Sequence, residues 1–426
     1  MKYAIVTFGC RVNQADSLAF EGTLIERGGT AVTPDAADLV VVNTCSVTAS
    51  ADQGARQAVR RIARSNPRAR IVMTGCYATR EHAEVAALPN VVHVLHNPRK
   101  DRFGEVLDEL GLTTAERFGS GDGACGATVE PGVAGRTAFT LRVQTGCAQP
   151  CAYCIIPVTR GAPKSRPMAD LLLDIDRAVS AGFREIALTG VHLGSYGRDL
   201  SPSASLVGLL RAIATVAPPH VRFRISSLEP MDCSSDLVDL VAASDLFAPH
   251  FHLPLQHASD RMLARMRRPY TAAHYAALVG NIRERMPDAS IGSDVIVGFP
   301  GETDADFAAL ASFLEGSPLT HVHVFPYSDR PGTAASVMTD KVPGTTVKAR
   351  AQLLRGIASA LTRRFRERQL GQVHRSLALE DGTLVVTANY LKVRIPPGRR
   401  RNDWLDVRVT QVASEPLTGE VVGVLA

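Results

Sequence analysis

Apolar residues in the first part of the chain occur in short continuous runs, which alternate with stretches of helical spacing. Short runs of this kind are typical of strands buried on both faces of a parallel sheet. The alternation therefore predicts a βα repeat and a doubly wound parallel sheet. The predicted strands are Tyr3–Phe8, Leu39–Asn43, Ile71–Thr74 and Val91–Leu95, and the predicted helices are Asp16–Arg27, Ala49–Arg64 and Thr79–Ala87.

The repeat stops at residues 112–136, which are rich in Gly, Ala and Ser and are predicted to form a linker. Strands and helices then alternate again over residues 137–370, and six βα units predict an open, partial (β/α)6 barrel. An incomplete barrel has a side opening that admits a bulky substrate. The predicted strands are Phe139–Gln144, Glu185–Val191, Val221–Ser226, His250–Leu255, Ser290–Val297 and His321–Phe325. The predicted helices are Ala169–Ala181, Leu206–Val216, Ser234–Ala243, Ala272–Arg285, Asp304–Leu314 and the long basic Val347–Gln369.

The last part of the chain, residues 371–426, has short apolar runs separated by turns, which predict a small antiparallel β-barrel. We therefore expect an α/β protein with a first domain over 1–111, a linker over 112–136, a barrel with its basic helix over 137–370 and a small β-barrel over 371–426. The predicted strands of the last domain are Ser376–Leu379, Leu384–Thr387, Leu391–Ile395, Leu405–Val409 and Glu420–Leu425.

Composition narrows the class of protein. Hydrophobic residues make up 45% of the 426 residues, which is enough for ordinary globular cores. No apolar run reaches the ~18 residues of a membrane span, and the first apolar run is too short for a secretory signal. We therefore expect a cytoplasmic protein without a membrane partner. The net charge of +5 suits a nucleic-acid partner without establishing one.

Three of the eight cysteines follow predicted strands of the first domain. Cys10, Cys45 and Cys76 each come just after the carboxyl end of a strand, and these ends share one edge of a parallel sheet. Three inert buried thiols are the alternative, since free Cys is commonly buried. The repeated position, each time after a small or polar residue, favours a shared metal site.

A second group of cysteines has the spacing CxxxCxxC after the first barrel strand, at Cys147, Cys151 and Cys154. Three thiolates on one loop can hold three irons of a [4Fe–4S] cluster and leave the fourth iron open, whereas full ligation takes four cysteines. Structural zinc is the alternative, but it usually needs a second CxxC pair or histidines at set spacing. An open iron predicts binding and cleavage of S-adenosylmethionine.

Several segments resemble the methylthiotransferase family of radical S-adenosylmethionine enzymes, over nearly the whole chain. They are TFGCRVNQADS, VVNTCSVT, MTGCYATR and GCAQPCAYCIIPVTRGAPKSR. LTGVHLGSYGRD, HLPLQHASDRMLARMRRPYT, DVIVGFPGETDADF and HVFPYSDRPGTAA resemble the branch that acts on N6-threonylcarbamoyladenosine in tRNA. The isopentenyladenosine branch usually has Gln-Asn at Val191-His192, and the branch acting on a ribosomal protein usually has Pro-Lys at Arg11-Val12.

The resemblance implies that Cys10, Cys45 and Cys76 hold a second, auxiliary [4Fe–4S] cluster whose free iron carries sulfur. One S-adenosylmethionine would methylate that sulfur, and a second would supply the radical that removes hydrogen from C2 of the adenine. The product would be a 2-methylthio base next to the anticodon. The alternatives are isopentenyladenosine or a ribosomal protein as substrate, and, from another class, a non-catalytic RNA-binding redox sensor. A reductant such as flavodoxin or ferredoxin is implied, and the sulfur donor is unknown.

Residues at the ends of the barrel strands are the expected contacts of S-adenosylmethionine, since these ends form the reactive mouth of a barrel. Tyr153 is expected near the adenine, with simple packing as the alternative. The resemblance places the cofactor's amino group at the end of the second strand, its ribose at the third, and its sulfonium or the cluster at the fourth. The expected contacts are Tyr153, Thr189, Gly190, Val191, Ser226, Glu229, Gln256, Asp294 and Ile296.

The remaining cysteines and several arginines and histidines are expected to have simpler roles. Cys125, in the linker, and Cys233 are not expected to be cluster ligands, because full ligation would block both open irons. Arg160 and Arg166 are expected either to contact the anionic substrate or to lie at the surface. Five histidines are expected to pack or hydrogen-bond rather than to hold metal: His250, His252, His257, His321 and His323.

Basic residues of the last domain are the expected RNA contacts. PPGRRR on a loop suits phosphate binding, and TANYLKVRI resembles the central hairpin of the RNA-binding TRAM domain, although the family pattern is only loosely kept over Leu377–Leu384. The predicted partner is therefore tRNA. The predicted RNA-binding residues are Lys392, Arg394, Arg399, Arg400 and Arg401.

Overall fold

The computed structural model describes residues 1–46, 49–112, 131, 137–413 and 415–425. The predicted linker and Cys125 therefore lie outside the described residues, apart from residues 112 and 131. Within the described part, no helix is long and apolar enough to cross a membrane.

The first domain is a parallel five-stranded sheet with helices on both faces. Its strand order is β2-β1-β3-β4-β5, and the central strand is entirely buried because separate apolar clusters cover its two faces. The strands are β1 (Lys2–Thr7), β2 (Thr30–Ala31), β3 (Leu39–Thr44), β4 (Arg70–Gly75) and β5 (Val91–Leu95). The helices are α1 (Arg11–Glu26), α2 (Ala49–Ser65), α3 (Cys76–Arg80), α4 (His82–Ala86) and α5 (Phe103–Glu109).

The second domain is an arc of six parallel strands. It consists of two three-stranded sheets, β10-β9-β6 and β11-β12-β13, with a parallel bridge between Phe223 and Phe247 at their junction. A short hairpin of β7 and β8 follows β6. The strands are β6 (Phe139–Arg142), β7 (Gln144–Thr145), β8 (Lys164–Ser165), β9 (Glu185–Thr189), β10 (Arg222–Ile225), β11 (His250–His252), β12 (Ser290–Val297) and β13 (His321–Pro326).

Helices flank these strands, and two of them cover the ends of the arc. Within the described residues, no backbone pairing joins β6 to β13, so the barrel is open. Helix α1 packs beside β6 and α13 packs beside β13, which shields both exposed edges. The helices are α6 (Ile156–Arg160), α7 (Met168–Ser180), α8 (Leu206–Val216), α9 (Ser235–Ala242), α10 (Asp260–Arg265), α11 (Ala272–Arg285), α12 (Asp304–Gly316) and α13 (Gly344–Glu367).

The lumen of the arc is polar. Side chains such as Ile186, Phe223, Phe251, Val295 and Val322 belong to the apolar core beneath the helices, and successive side chains of a strand point to opposite faces. The alternate positions therefore face the inside of the arc, called the lumen here. They are Thr140, Arg142, Glu185, Thr189, Arg222, Arg224, Ser226, His250, His252, Asp294, Ile296, His321 and His323.

The last domain is a closed five-stranded barrel of order β14-β15-β16-β18-β17. The expected antiparallel pairing is corrected at one junction, because β16 and β18 pair in parallel to close the barrel. The indole of Trp404 donates to the His220 carbonyl at 2.7 Å, so this domain caps the end of the lumen where the strands begin. Its strands are β14 (Val373–Leu379), β15 (Leu384–Thr387), β16 (Lys392–Arg394), β17 (Trp404–Gln411) and β18 (Leu417–Leu425).

Three predicted elements differ from the structure. The helix predicted over Thr79–Ala87 is two short helices, because Glu81 has non-helical backbone angles. The strand predicted over Phe139–Gln144 divides at Val143, where the chain leaves β9 to form the β7–β8 hairpin. The strand predicted over His250–Leu255 ends at His252.

Candidate active site

The first three cysteines lie at one edge of the N-terminal sheet. Cys45 follows β3 directly, Cys76 begins α3 after β4, and Cys10 stands just before α1. Cys10 is exposed, Cys45 and Cys76 are buried, and none of the three forms a disulfide with a described cysteine. The sequence prediction that they follow neighbouring strand ends is therefore the arrangement found.

Two glycines let the backbones carrying these cysteines approach closely. A Cβ atom on Gly9 would lie 2.4 Å from the Cβ of Cys45, and one on Gly75 would lie 2.1 Å from the carbonyl oxygen of Thr44. Both glycines have positive φ, +92° and +99°, which other residues rarely adopt. The glycines before Cys10 and Cys76 are therefore required for the backbone segments around Cys10, Cys45 and Cys76 to approach this closely.

Polar groups from both domains surround this edge. The amide of Asn97 donates to the Cys76 thiol at 3.5 Å and to the Thr159 carbonyl of α6 at 2.9 Å. Burial alone would lower the pKa of the Arg160 guanidinium, but Cys76, Asp16 and Cys10 lie close enough to raise it. Helix α6, which follows the second cysteine group, thus docks directly on the first.

A buried ion network fixes this docking. Asp16 of α1 is 1% exposed and pairs with Lys100 at 2.6 Å, with Arg160 at 3.4 Å and with Arg142. Burial would raise the pKa of the Asp16 carboxyl, but these three cations lower it to about 2. Arg330 adds a second link between the domains, 3.4 Å from Asp52 of α2.

The loop with the second cysteine group is anchored at its start and in its middle. Gly146 has φ +73°, and a Cβ there would lie 1.9 Å from the Ala162 carbonyl oxygen, so only glycine fits. The amide of Cys147 donates to the Gly161 carbonyl at 3.0 Å. Ala152, fully buried, donates to the Met266 carbonyl and accepts from the amide of Ala335. The loop is therefore held rigidly at the mouth of the barrel.

Two basic side chains approach the thiols of this loop. Arg268 donates to the Cys151 thiol at 3.0 Å and also pairs with Glu229. His192 lies with Nδ1 3.9 Å from the Cys147 thiol, and its Nε2 is 2.7 Å from a carboxylate oxygen of Asp232. Positive groups beside a thiolate-bound cluster offset its negative charge and tune its potential.

The pKa values of the loop follow from these surroundings. Burial would lower the pKa of His192, but Asp232 and Cys147 raise it to about 9. Burial raises the pKa of the Cys154 thiol to about 12, and it also raises that of Cys151, against the opposing effect of Arg268. In the metal-free protein these two thiols hold their protons at neutral pH, so metal binding releases protons.

The expected cofactor contacts line the same mouth. The buried Ser226 hydroxyl has no hydrogen-bond partner within the described residues, so it is free to bind a ligand. Gln256 has a positive φ of 65° and bridges to Val295, a strained position typical of functional sites. Ile296 and Tyr153 pack on one apolar cluster. Packing of this kind is one of the two roles expected for Tyr153, the other being contact with the adenine.

Several other residues expected to contact the cofactor already interact with neighbouring side chains. Thr189 is buried at the end of β9, and a Cβ on Gly190 would lie 3.0 Å from Leu193. Val191, the next residue, is half-buried. Glu229 pairs with Arg268, and Asp294 accepts from His252 at 3.1 Å. Both carboxylates therefore face the lumen with a cation or imidazole beside them.

The comparisons with known proteins agree with this arrangement. The model of uncharacterized protein family UPF0004 matches residues 2–96, and that of the Radical SAM superfamily matches residues 141–314. The chain is 36% identical to the threonylcarbamoyladenosine tRNA methylthiotransferase MtaB of Aquifex aeolicus, over 92% of this chain and 96% of the relative. It is 32% identical to the ribosomal protein uS12 methylthiotransferase RimO of Roseiflexus sp., over 99% and 97% of the two chains.

The chain belongs to the radical S-adenosylmethionine methylthiotransferase family. A solved structure of the radical S-adenosylmethionine methyltransferase TsrM from Kitasatospora setae shares the fold, with a TM-score of 0.58 and 16% identity over 79% of this chain and 75% of that one. The protein is thus an enzyme that uses S-adenosylmethionine and a [4Fe–4S] cluster. The free thiols of the second group and the unpartnered Ser226 hydroxyl fit these two cofactors.

One arginine of this methylthiotransferase, Arg160, differs from expectation. Arg160 is 7% exposed and engaged with Asp16 and Asn13, so it is neither a surface residue nor a substrate contact. Arg166 is half-buried and pairs with Asp174 at 2.7 Å, so both roles expected for it stay predictions. Cys233 lies in the apolar core of the barrel, where burial raises its thiol pKa to about 12.

The histidines line the lumen as a group. The Nδ1 atom of His252 forms a hydrogen bond with the Ser227 hydroxyl at 3.1 Å, and its Nε2 atom forms one with the Asp294 carboxylate. A ring nitrogen of His323 lies within 4.8 Å of both His252 and Asp294. Burial lowers the pKa of His321 to about 4. His257 is fully buried, 3.5 Å from Glu302, as expected for a packed histidine.

Sequence reasoning missed several residues of the methylthiotransferase site. Arg268 lies in the quoted segment RMRRPYT, but no local pattern separates it from the exposed Arg267. In the sequence, His192 distinguishes branches of the family, and its spacing does not connect it with Cys147. Asn97, Lys100 and Asp16 contact partners that are far away in the chain, so no spacing rule reveals them.

The predicted RNA contacts lie on the last barrel. Lys392 and Arg394 are exposed, on the outer face of β16 on either side of the buried Val393. Arg400 is exposed, while Arg399 and Arg401 are half-buried. Three of the five basic side chains are therefore open to a phosphate backbone.

Proposed function

We propose that this enzyme adds a methylthio group to C2 of N6-threonylcarbamoyladenosine, next to the anticodon of tRNA. The observation that carries the proposal is the junction of the two cysteine groups. Helix α6 begins two residues after Cys154, and it ends at Arg160, which lies beside Cys76 and Cys10. A radical enzyme without sulfur insertion would need only the second group, Cys147, Cys151 and Cys154.

The proposal includes a second [4Fe–4S] cluster on Cys10, Cys45 and Cys76. Three thiols held at one edge by Gly9 and Gly75 fit a cluster with an open iron, and Asn97 and Arg160 offer hydrogen bonds that offset its charge. When bound, such a cluster supplies an iron site for the sulfur to be transferred. The chain's own part is to hold that site facing the lumen and to exclude water and oxygen.

The S-adenosylmethionine site is proposed at the mouth formed by the strand ends. Ser226 and Gln256 are the contacts best supported by the structure, since one has an unpartnered hydroxyl and the other a strained backbone. Thr189, Gly190 and Val191 would bind the amino group, Ile296 and Tyr153 would pack against the adenine, and Asp294 and Glu229 would orient the ribose side. A (β/α) barrel places substrate-binding groups at these ends.

The tRNA partner is proposed to bind across the open side of the barrel and the last domain. Lys392, Arg394 and Arg400 are exposed, and Arg399 and Arg401 extend the same basic loop. The reductant is proposed to be flavodoxin or ferredoxin, and the compartment the cytoplasm. We also propose three domains, at residues 1–111, 137–370 and 371–426. A linker at residues 112–136 joins the first domain to the second.

An anaerobic reaction with reconstituted protein, S-adenosylmethionine, sulfide and a chemical reductant tests the substrate. The substrates compared are three anticodon stem-loops and ribosomal protein uS12. The stem-loops contain N6-threonylcarbamoyladenosine, isopentenyladenosine or plain adenosine. We expect methylthiolation of the first alone. Formation of 5′-deoxyadenosine with product only on isopentenyladenosine, or on ribosomal protein uS12, would support the alternative substrates, and no 5′-deoxyadenosine at all would support a redox sensor.

A further inference from the structure

Arg11 links the first and last domains at the lumen. Its guanidinium donates to the Tyr390 hydroxyl at 2.8 Å and lies 5.5 Å from the centre of that ring. Tyr390 stands in the turn between β15 and β16 and packs against His250, with ring centres 4.7 Å apart. Arg11 immediately follows Cys10, so one residue joins the first cysteine group to the capped end of the lumen.

The charge of Arg11 is available for a ligand. The charge of Arg11 contributes to lowering the pKa of both Glu185 and His250, which places the guanidinium beside the lumen wall. Within the described residues, no carboxylate lies within ion-pair distance of Arg11, and its hydrogen bond goes to a neutral phenol. A guanidinium has five donors in a fork that matches a carboxylate, so most of its capacity is unused.

The other arginines of this wall are already engaged. Arg224 is fully buried and forms two hydrogen bonds to the Glu185 carboxylate, at 3.0 and 3.2 Å. Arg222 donates to the Arg375 carbonyl and stacks over Trp404. Around Arg11 the remaining side chains of the wall are chiefly imidazoles, and burial lowers the pKa of His250 well below its usual value. This end of the lumen therefore favours one negative charge, and Arg11 is the group that would bind it.

We infer that Arg11, positioned by Tyr390, binds the carboxylate of the N6 substituent of the substrate base. This inference rests on the proposed substrate, whose threonylcarbamoyl group ends in a carboxylate. The amino and carboxylate groups of S-adenosylmethionine belong to the opposite end of the lumen, beside Cys147, Cys151 and Cys154. A base with its C2 edge towards Cys10 would extend its N6 substituent along the wall that Arg11 occupies. The subsite would thus select an acidic substituent over an apolar one.

The test compares the acid with its methyl ester on the same anticodon stem-loop. Wild-type protein, Arg11→Gln and Arg11→Lys are assayed for equilibrium binding without reductant and for product under turnover. We expect the wild type to prefer the acid about tenfold or more, as for a charge-assisted hydrogen bond. Arg11→Gln should bind acid and ester alike, with its loss in KM rather than kcat, and Arg11→Lys should keep part of the preference.

Iron content and 5′-deoxyadenosine formed without substrate show whether the variants are intact. If Arg11→Gln loses iron, Tyr390→Phe replaces it, because it removes the positioning hydrogen bond while keeping the ring. An intact variant that retains the full preference for the acid overturns the inference. If the wild type modifies the acid substrate but shows no preference over the ester, the inference fails and the proposed function stands. If the wild type modifies neither, both fail.

Discussion

The ammonium group of Lys100 donates a hydrogen bond to the Asp16 carboxylate at 2.6 Å, although both side chains are buried. Arg160 and Arg142 reach the same carboxylate from the second domain. The N-terminal sheet and the barrel are therefore held together by the Asp16 carboxylate and two cations of the second domain, next to Cys76 and Cys10. The position of one cysteine group relative to the other depends on this contact.

Asp16→Asn is expected to weaken the docking of the two domains. The substitution leaves buried cations without their carboxylate, which should cost about 3 kcal/mol in the free energy of unfolding. Chemical denaturation and limited proteolysis measure the loss. Asp108→Asn is the matched control, because its ion pair with Arg27 is largely exposed and its loss should change little. Equal stability of Asp16→Asn and Asp108→Asn would contradict the role of the network.

The same network predicts a response to acid. Because the folded-state pKa of Asp16 is lowered from 3.8 to about 2, its stabilising effect is complete above the unfolded value and is lost as pH falls through that window. Wild-type protein should therefore lose stability between about pH 4 and 2 more steeply than Asp16→Asn, as followed by denaturation at each pH. Parallel pH profiles of the two proteins would count against it.

Gly9→Ala is expected to remove the cluster proposed on Cys10, Cys45 and Cys76 and to spare the radical cluster. The added Cβ would meet the Cys45 side chain at 2.4 Å, at a φ that alanine rarely adopts. Iron content should fall by about four per chain, the content of one [4Fe–4S] cluster. Gly22→Ala in α1 is the control, since nothing lies within 4 Å of its Cβ position. Full iron content in Gly9→Ala would show that the close approach is not needed.

Arg268→Met is expected to affect the radical site alone. It removes the hydrogen bond to Cys151 and the partner of Glu229. Formation of 5′-deoxyadenosine should fall about 10- to 100-fold, and the potential of the radical cluster should become more negative. Arg267→Met, at the exposed neighbouring position, is the control. The prediction is wrong if both variants behave as the wild type.

The thiols of the metal-free protein should differ in reactivity. Alkylating reagents attack the thiolate, so Cys154, with its pKa raised to about 12 by burial, should react far more slowly at pH 8 than the exposed Cys10. Peptide mass spectrometry after timed iodoacetamide treatment measures the two rates. Unfolding in denaturant should make them similar. Similar rates in the folded protein would show that Cys154 is not sequestered.

Much of the fold follows from sequence pattern, because burial on both faces gives continuous apolar strands such as Leu39–Thr44. The position of Cys10, Cys45 and Cys76 at one edge of the sheet was also predictable, since the ends of parallel strands share an edge. The contacts of Asn97, Arg160 and Arg268 were not, because each joins segments far apart in the chain. The parallel pairing of β16 with β18 depends on barrel closure, which no local pattern encodes.

Basic residues of the last barrel should set tRNA affinity. Replacing Lys392, Arg394 and Arg400 with Ala is expected to weaken binding and to flatten the slope of log affinity against log salt by about 2 to 3. Arg60, Arg61 and Arg64, exposed on α2, are replaced in the control to remove the same charge elsewhere. Equal effects of the two triple variants would mean that net charge, not this surface, governs binding.

The substrate is tested most directly by mass spectrometry of tRNA nucleosides from cells that lack this protein. We predict that 2-methylthio-N6-threonylcarbamoyladenosine disappears and that its unmethylthiolated precursor accumulates. The wild-type gene should restore the methylthiolated nucleoside, whereas Cys10→Ala and Cys147→Ala should not. An unchanged level of that nucleoside in the deletion strain, or its restoration by either cysteine variant, would contradict the account.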